Sequence, residues 1–198
     1  MKSAGILFAA AVGAMLCACT YQSINPEAAL ADVRANNGYH ELRDVEPGTA
    51  KIVVRTENAG ASYLAHFSVS TAAQDCQAFT SLGSVAYTGR GLVYPWIANA
   101  LQHGSRGSPY LVHEAKPGMP IQVRGYGSWA DGTGTGFRSG NCGSMTARFT
   151  PQEGHAYTVT FLWGNRPACS LKIQDATDPD APVPVQAQIT ERCPAPSR

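Results

Sequence analysis

Charge of either sign is scarce in this chain, and nowhere is it gathered into a tract. Lysine and arginine number 15 against 14 aspartate and glutamate, for a formal charge of +1, and only 15% of residues are charged. Nucleic-acid surfaces and polybasic membrane patches need clustered cations, so no nucleic-acid partner is expected. CxxC spacing is missing, which speaks against a zinc centre. The nucleophile-elbow string Gly-x-Ser-x-Gly does not occur; the nearest strings are Gly125-Tyr126-Gly127-Ser128-Trp129 and Ser81-Leu82-Gly83-Ser84-Val85. The five histidines, His40, His66, His103, His113 and His155, are scattered rather than grouped. No catalytic constellation, cofactor or metal is therefore expected. Asp175, Asp178 and Asp180 do cluster, but Pro179 and Pro182 beside them read as a solvated turn rather than a calcium loop.

What is present is concentrated first at the N-terminus. Lys2 precedes an apolar run from Ile6 to Leu16. The run is too short to span a bilayer and has the flanks of a secretory signal. It ends in Leu16-Cys17-Ala18-Cys19, which resembles the lipobox of bacterial lipoproteins. The resemblance implies a signal peptide over 1–18, cleavage before Cys19, and a lipid on the Cys19 sulfur. Thr20 follows in place of Asp, which by analogy with enteric sorting implies the outer membrane, facing the periplasm. Residues 19–24 would be a short tether, and residues 194–198 a tail.

Six cysteines are present. With Cys17 in the signal and Cys19 lipidated, four remain: Cys76, Cys142, Cys169 and Cys193. An even number in an exported chain reads as two disulfides, with three pairings open. Chain order and a C-terminal hairpin favour Cys76–Cys142 and Cys169–Cys193.

Asn25-Pro26-Glu27 has the form of a helix start, and Ala29, Leu30 and Val33 make one apolar stripe, so a short helix is expected over 25–37. From Thr49 the apolar period becomes two. Ile52 and Val54; Tyr63, Ala65, Phe67 and Val69; Ile121 and Val123; Met145, Ala147 and Phe149; Tyr157, Val159, Phe161 and Trp163; Leu171 and Ile173; and Val183, Val185, Ala187 and Ile189 each alternate with other residues. Tyr110 to His113 is a further candidate. Seven or eight strands, each with one wet and one dry face, point to an all-β, two-sheet antiparallel β-sandwich over 48–193. Pro184 places the last strand at an edge.

Two segments break this rhythm. Residues 87–109 carry Tyr94 and Trp96, and residues 125–143 carry seven glycines around Trp129. Long loops of this kind carry contacts. Tyr94, Trp96, Tyr126 and Trp129 are accordingly the candidate contacts for an envelope protein or a glycan.

Phe149-Thr150-Pro151-Gln152-Glu153-Gly154-His155-Ala156-Tyr157, then Cys169, then Pro182-Val183, resembles a pattern carried by proteobacterial outer-membrane lipoproteins with a disulfide-bonded β domain. Glu114 to Ile121, followed by a Gly-rich stretch and Cys142, fits the same outline. The resemblance implies a sandwich of the immunoglobulin or transthyretin sort and no particular activity. The expectation is a non-enzymatic scaffold or binding protein on a lipid anchor; the alternative is a hydrolase of envelope polymers with an unrecognised site.

Overall fold

A computed structural model of the chain describes residues 38–57, 63–86, 108–133, 136–164, 169–191 and 193. Cys19, the helix expected over 25–37, Tyr94 and Trp96 lie outside them. The elements are α1 (Tyr39–Arg43), β1 (Ala50–Glu57), β2 (Tyr63–Ser70), β3 (Thr80–Ala86), β4 (Tyr110–Ala115), β5 (Ile121–Thr133), β6 (Gly136–Phe149), β7 (Ala156–Trp163), β8 (Cys169–Asp175), β9 (Val183–Pro184) and β10 (Gln188–Glu191). The chain is all-β in character. The first sheet has the order β4-β1-β7-β8-β9 and the second β10-β6-β5-β2-β3. All described pairs of strands are antiparallel except β1 with β7, which run parallel with Ile52 opposite Tyr157.

Most period-2 apolar residues of the two sheets meet in one buried cluster; Val183 and Ile189, on the edge strands, stay exposed. Ile52, Val54, Val159, Phe161 and Ile173 enter it from the first sheet, and Phe67, Val123, Met145 and Ala147 from the second. Burying side chains of this size stabilises by about 1.5–3 kcal/mol each, before the entropy of ordering them is subtracted. The expectation of one wet face does not hold for β1 and β7. Leu42 of α1 packs with Val53, Ala156 and Ala176 on the opposite side of the first sheet. Both strands are thus buried on two faces, which is why Ile52-Val53-Val54 reads as an unbroken apolar run.

The glycine-rich stretch 125–143 is no loop. It is the body of the β5–β6 hairpin, paired from Gly125 opposite Met145 to Thr133 opposite Gly136. Gly125 and Gly127 answer to packing. A Cβ at Gly125 would stand 2.8 Å from Phe161 Cδ2, and one at Gly127 only 2.4 Å from Trp163 Cη2. Bare backbone lets β5 lie against the two rings of β7. The final apolar run also splits. Val183 and Pro184 form the edge strand β9 of the first sheet, while Ile189 belongs to β10 at the edge of the second. Pro184 sits at an edge, as its missing N–H requires. The Pro151–Gly154 turn joins β6 to β7 across the two sheets rather than closing a hairpin. Gly154 takes a φ of 74° there, and the Tyr157 hydroxyl accepts from the Gln152 amide at 2.9 Å.

The disulfides are Cys76–Cys193 and Cys142–Cys169, not the pairs expected from chain order. A bulge in β6 decides this. Gly125 pairs with Met145, but Gly127 pairs with Cys142, so β6 holds one residue more than β5 at this point. Gly143, at φ 58°, sits in the bulge. Met145 and Cys142, three apart, would face opposite ways in a regular strand; here both are buried in the core. Cys142 therefore meets Cys169 and ties the second sheet to the first. Cys76 lies elsewhere, on the loop after β2. Gln122 of β5, only 1% exposed, holds that loop by accepting from the Cys76 amide and donating to the Ala72 and Gln74 carbonyls. Gln122 is five residues along β5 from Gly127, the residue opposite Cys142, or about 17 Å. Cys193 follows β10 and lies 3.2 Å from the Thr146 hydroxyl, on the side where Cys76 is found.

Candidate functional site

Strand alternation separates the expected contact residues. Tyr126 and Trp129 are three apart on β5, so they face opposite sides of the second sheet. Trp129 lies opposite Gly140, where a Cβ would come within 2.6 Å of its ring, and it packs against the core. Tyr126 points outward and is 37% exposed. The structure does not bring the two together.

Around Tyr126, residues of four adjacent strands, β6, β5, β2 and β3, form a groove of about 360 Å³, lined by His66, Ser68, Phe79, Ser81, Arg124 and Ser144, among others. The sheet register builds it. Ser68 stands opposite both Ser81 and Arg124, and His66 opposite both Ser84 and Tyr126. A second register shift, between Phe67 and Ser68, offsets β3 by one residue here. It brings Ser81 rather than Leu82 into line with Ser68.

Two side chains in the groove are firmly oriented. The Arg124 guanidinium lies over the Phe79 ring, with Cζ 4.1 Å from the centroid, and its Nε donates to the Ser68 hydroxyl at 3.1 Å. Its terminal nitrogens have no acceptor, and no carboxylate pairs with it, among the described residues. His66 is bracketed by two hydroxyls: Nδ1 lies 2.7 Å from Ser84 Oγ and Nε2 lies 3.0 Å from Ser128 Oγ. An imidazole can donate through one nitrogen and accept through the other, and a hydroxyl can take either part, so both contacts can be satisfied together. Chemically this is a serine–histidine contact whose far nitrogen meets another hydroxyl instead of the carboxylate that would steady an imidazolium. The His66 and Tyr126 rings lie 6.0 Å apart, so the imidazole extends the aromatic wall.

A second hollow, of about 270 Å³, lies beside α1 and is lined by Tyr39, Arg55, Thr158 and Asp180, among others. Its charges are already matched. Asp180 accepts from the Tyr39 hydroxyl at 2.7 Å and from Arg43 at 3.0 Å, and Arg55 pairs with Glu57 at 3.0 Å. The neighbouring carboxylates are also engaged. Asp178 Oδ1 accepts from the Asp180 amide. Asp175 accepts from the Thr177 amide and hydroxyl and stands 2.6 Å from His155 Nδ1. Burial by itself would push the Asp175 carboxyl up; the Thr177 and His155 contacts outweigh it and hold the carboxyl below the usual carboxylate range.

The sequence marks Tyr126 as a contact candidate and gives His66 only as one of five scattered histidines; Arg124 and Phe79 carry no motif. The signal available for them was the outward phase of β2 and β5, which places His66, Arg124 and Tyr126 on one face once those strands are paired. Compared with known protein families, curated proteins and solved structures, the chain matches none.

Proposed function

We propose that this chain is a lipid-anchored lipoprotein of the bacterial envelope, held on the outer membrane facing the periplasm, and that its domain binds rather than catalyses. In this reading the two sheets form a β-sandwich of the immunoglobulin or transthyretin sort, a rigid carrier for the outer-face groove. The observation that carries it is the use made of the cysteines. Cys76, Cys142, Cys169 and Cys193 are all consumed in two disulfides, which persist in oxidising compartments. The two others stand at the end of the signal-like run, in Leu16-Cys17-Ala18-Cys19. The groove supports binding over hydrolysis, because both ring nitrogens of the imidazole that a hydrolase would use face hydroxyls and neither faces a carboxylate.

Replacing Cys19 with Ser tests the anchor. The wild-type protein should incorporate labelled palmitate and sediment with membranes, since several acyl chains hold far more firmly than one myristoyl group. The Cys19→Ser variant should do neither. A variant that still sediments and still takes up label overturns the lipoprotein reading.

A further inference from the structure

The Arg124 guanidinium is held on one face and at Nε, and its terminal edge is uncommitted among the described residues. Phe79 supports the plane and Ser68 fixes Nε. What remains is the pair of terminal nitrogens that match an oxyanion in a two-point grip. Because the side chain is already ordered, little rotamer entropy is left to lose when an anion arrives. The surroundings are not those of a bare anion site. Ser81 and Ser144 offer hydroxyls on the groove walls, and the exposed Tyr126 ring offers an apolar face. The volume, about 360 Å³, falls at the lower end of the range for organic ligands, large enough for a ring and not for a chain of them.

We propose that this groove binds an acidic saccharide, with the carboxylate on Arg124, the pyranose ring against Tyr126, and the sugar hydroxyls exchanging hydrogen bonds with Ser81 and Ser144. A polyanion such as nucleic acid would need several cations, and among the described residues one arginine lines the groove. This inference rests on the binding reading above and is independent of the anchor. The groove is open, so affinity is modest, with Kd on the order of 1 mM.

The test is a titration of the purified protein in detergent, followed by NMR shifts of the Arg124 side chain and the Tyr126 amide. The probes are D-glucuronate, D-glucose, inorganic phosphate and the terminal-carboxylate peptide acetyl-Ala-Ala. Glucuronate should saturate, with glucose, phosphate and the peptide each about tenfold weaker or more. Arg124→Gln should abolish the glucuronate response, and Arg124→Lys, which keeps the charge without the fork, should weaken it. Tyr126→Ala should weaken glucuronate at least threefold and leave phosphate unchanged. Phosphate binding as tightly as glucuronate, with no effect of Tyr126→Ala, overturns the saccharide assignment. Preference for the peptide overturns it too, while preserving the binding reading. Silence toward all four probes overturns both.

Discussion

Replacing Gly127 with Ala tests the packing on which the fold depends. The added Cβ would stand 2.4 Å from Trp163 Cη2 and 2.8 and 2.9 Å from Phe161 Cε1 and Cζ. Neither ring is free to swing away. Phe161 is fully buried and Trp163 nearly so; their centroids lie 5.0 Å apart edge to face, and Trp163 Nε1 donates to the Thr56 hydroxyl at 2.9 Å. Forcing one carbon into such a core costs about 1–3 kcal/mol, and contacts this short belong at the upper end. Alanine restricts the unfolded chain more than glycine and returns about 0.4–1 kcal/mol. The net loss is then about 2 kcal/mol, or about 4–8 °C in Tm for a domain of this size. Thermal unfolding of the oxidised protein by circular dichroism measures it. The decisive comparison is with Trp163→Phe, which removes Cη2. In that background Gly127→Ala should cost about 1–2 kcal/mol less, a coupling that only residues in contact display. An unchanged Tm for Gly127→Ala, or an equal penalty in both backgrounds, would refute the close approach of β5 to β7.

Two further outcomes follow from the structure. Asp175 titrates below its unfolded value, so its contribution is complete above the ordinary carboxylate range and is lost as pH falls through the folded pKa. Asp175→Asn should therefore destabilise at pH 7, with the gap to wild type closing as acid unfolding is approached; a constant gap across that range would contradict the assignment. For the disulfides, the Cys142→Ala/Cys169→Ala double variant opens a closure of 27 residues, worth about 3.5 kcal/mol on the chain-entropy model. Cys76→Ala/Cys193→Ala opens one of 117 residues, worth about 5 kcal/mol on the same model. Urea midpoints in the reverse order would show that local packing, not loop closure, sets the contribution.

Most strands were legible because their inward residues alternate: β2, β7 and the C-terminal half of β6 carry Ala65-x-Phe67-x-Val69, Tyr157-x-Val159-x-Phe161 and Met145-x-Ala147-x-Phe149. β3 was not, because Leu82 falls at the register shift opposite β2 and Gly83 supplies no apolar signal. The β5–β6 hairpin was misread for a related reason. Glycine normally marks loops, and only the Phe161 and Trp163 rings, more than thirty residues downstream, reveal that Gly125 and Gly127 occupy core positions. The disulfide pairing depended on the bulge at Gly143, which chain order does not encode. Of the candidate site, Tyr126 was visible as an aromatic among glycines. Arg124 and His66 became recognisable only when register set them on one face.

The bulge also turns the thiols into a gauge of strand alignment. Slipping β6 by one residue against β5 would reverse the facing of every side chain it carries. Cys142 would leave the core, Cys169 would lose its partner, and two sulfhydryls would become titratable in the otherwise folded protein. Counting free thiols after refolding thus reports whether the longest hairpin has found its native pairing, without any knowledge of what the groove binds.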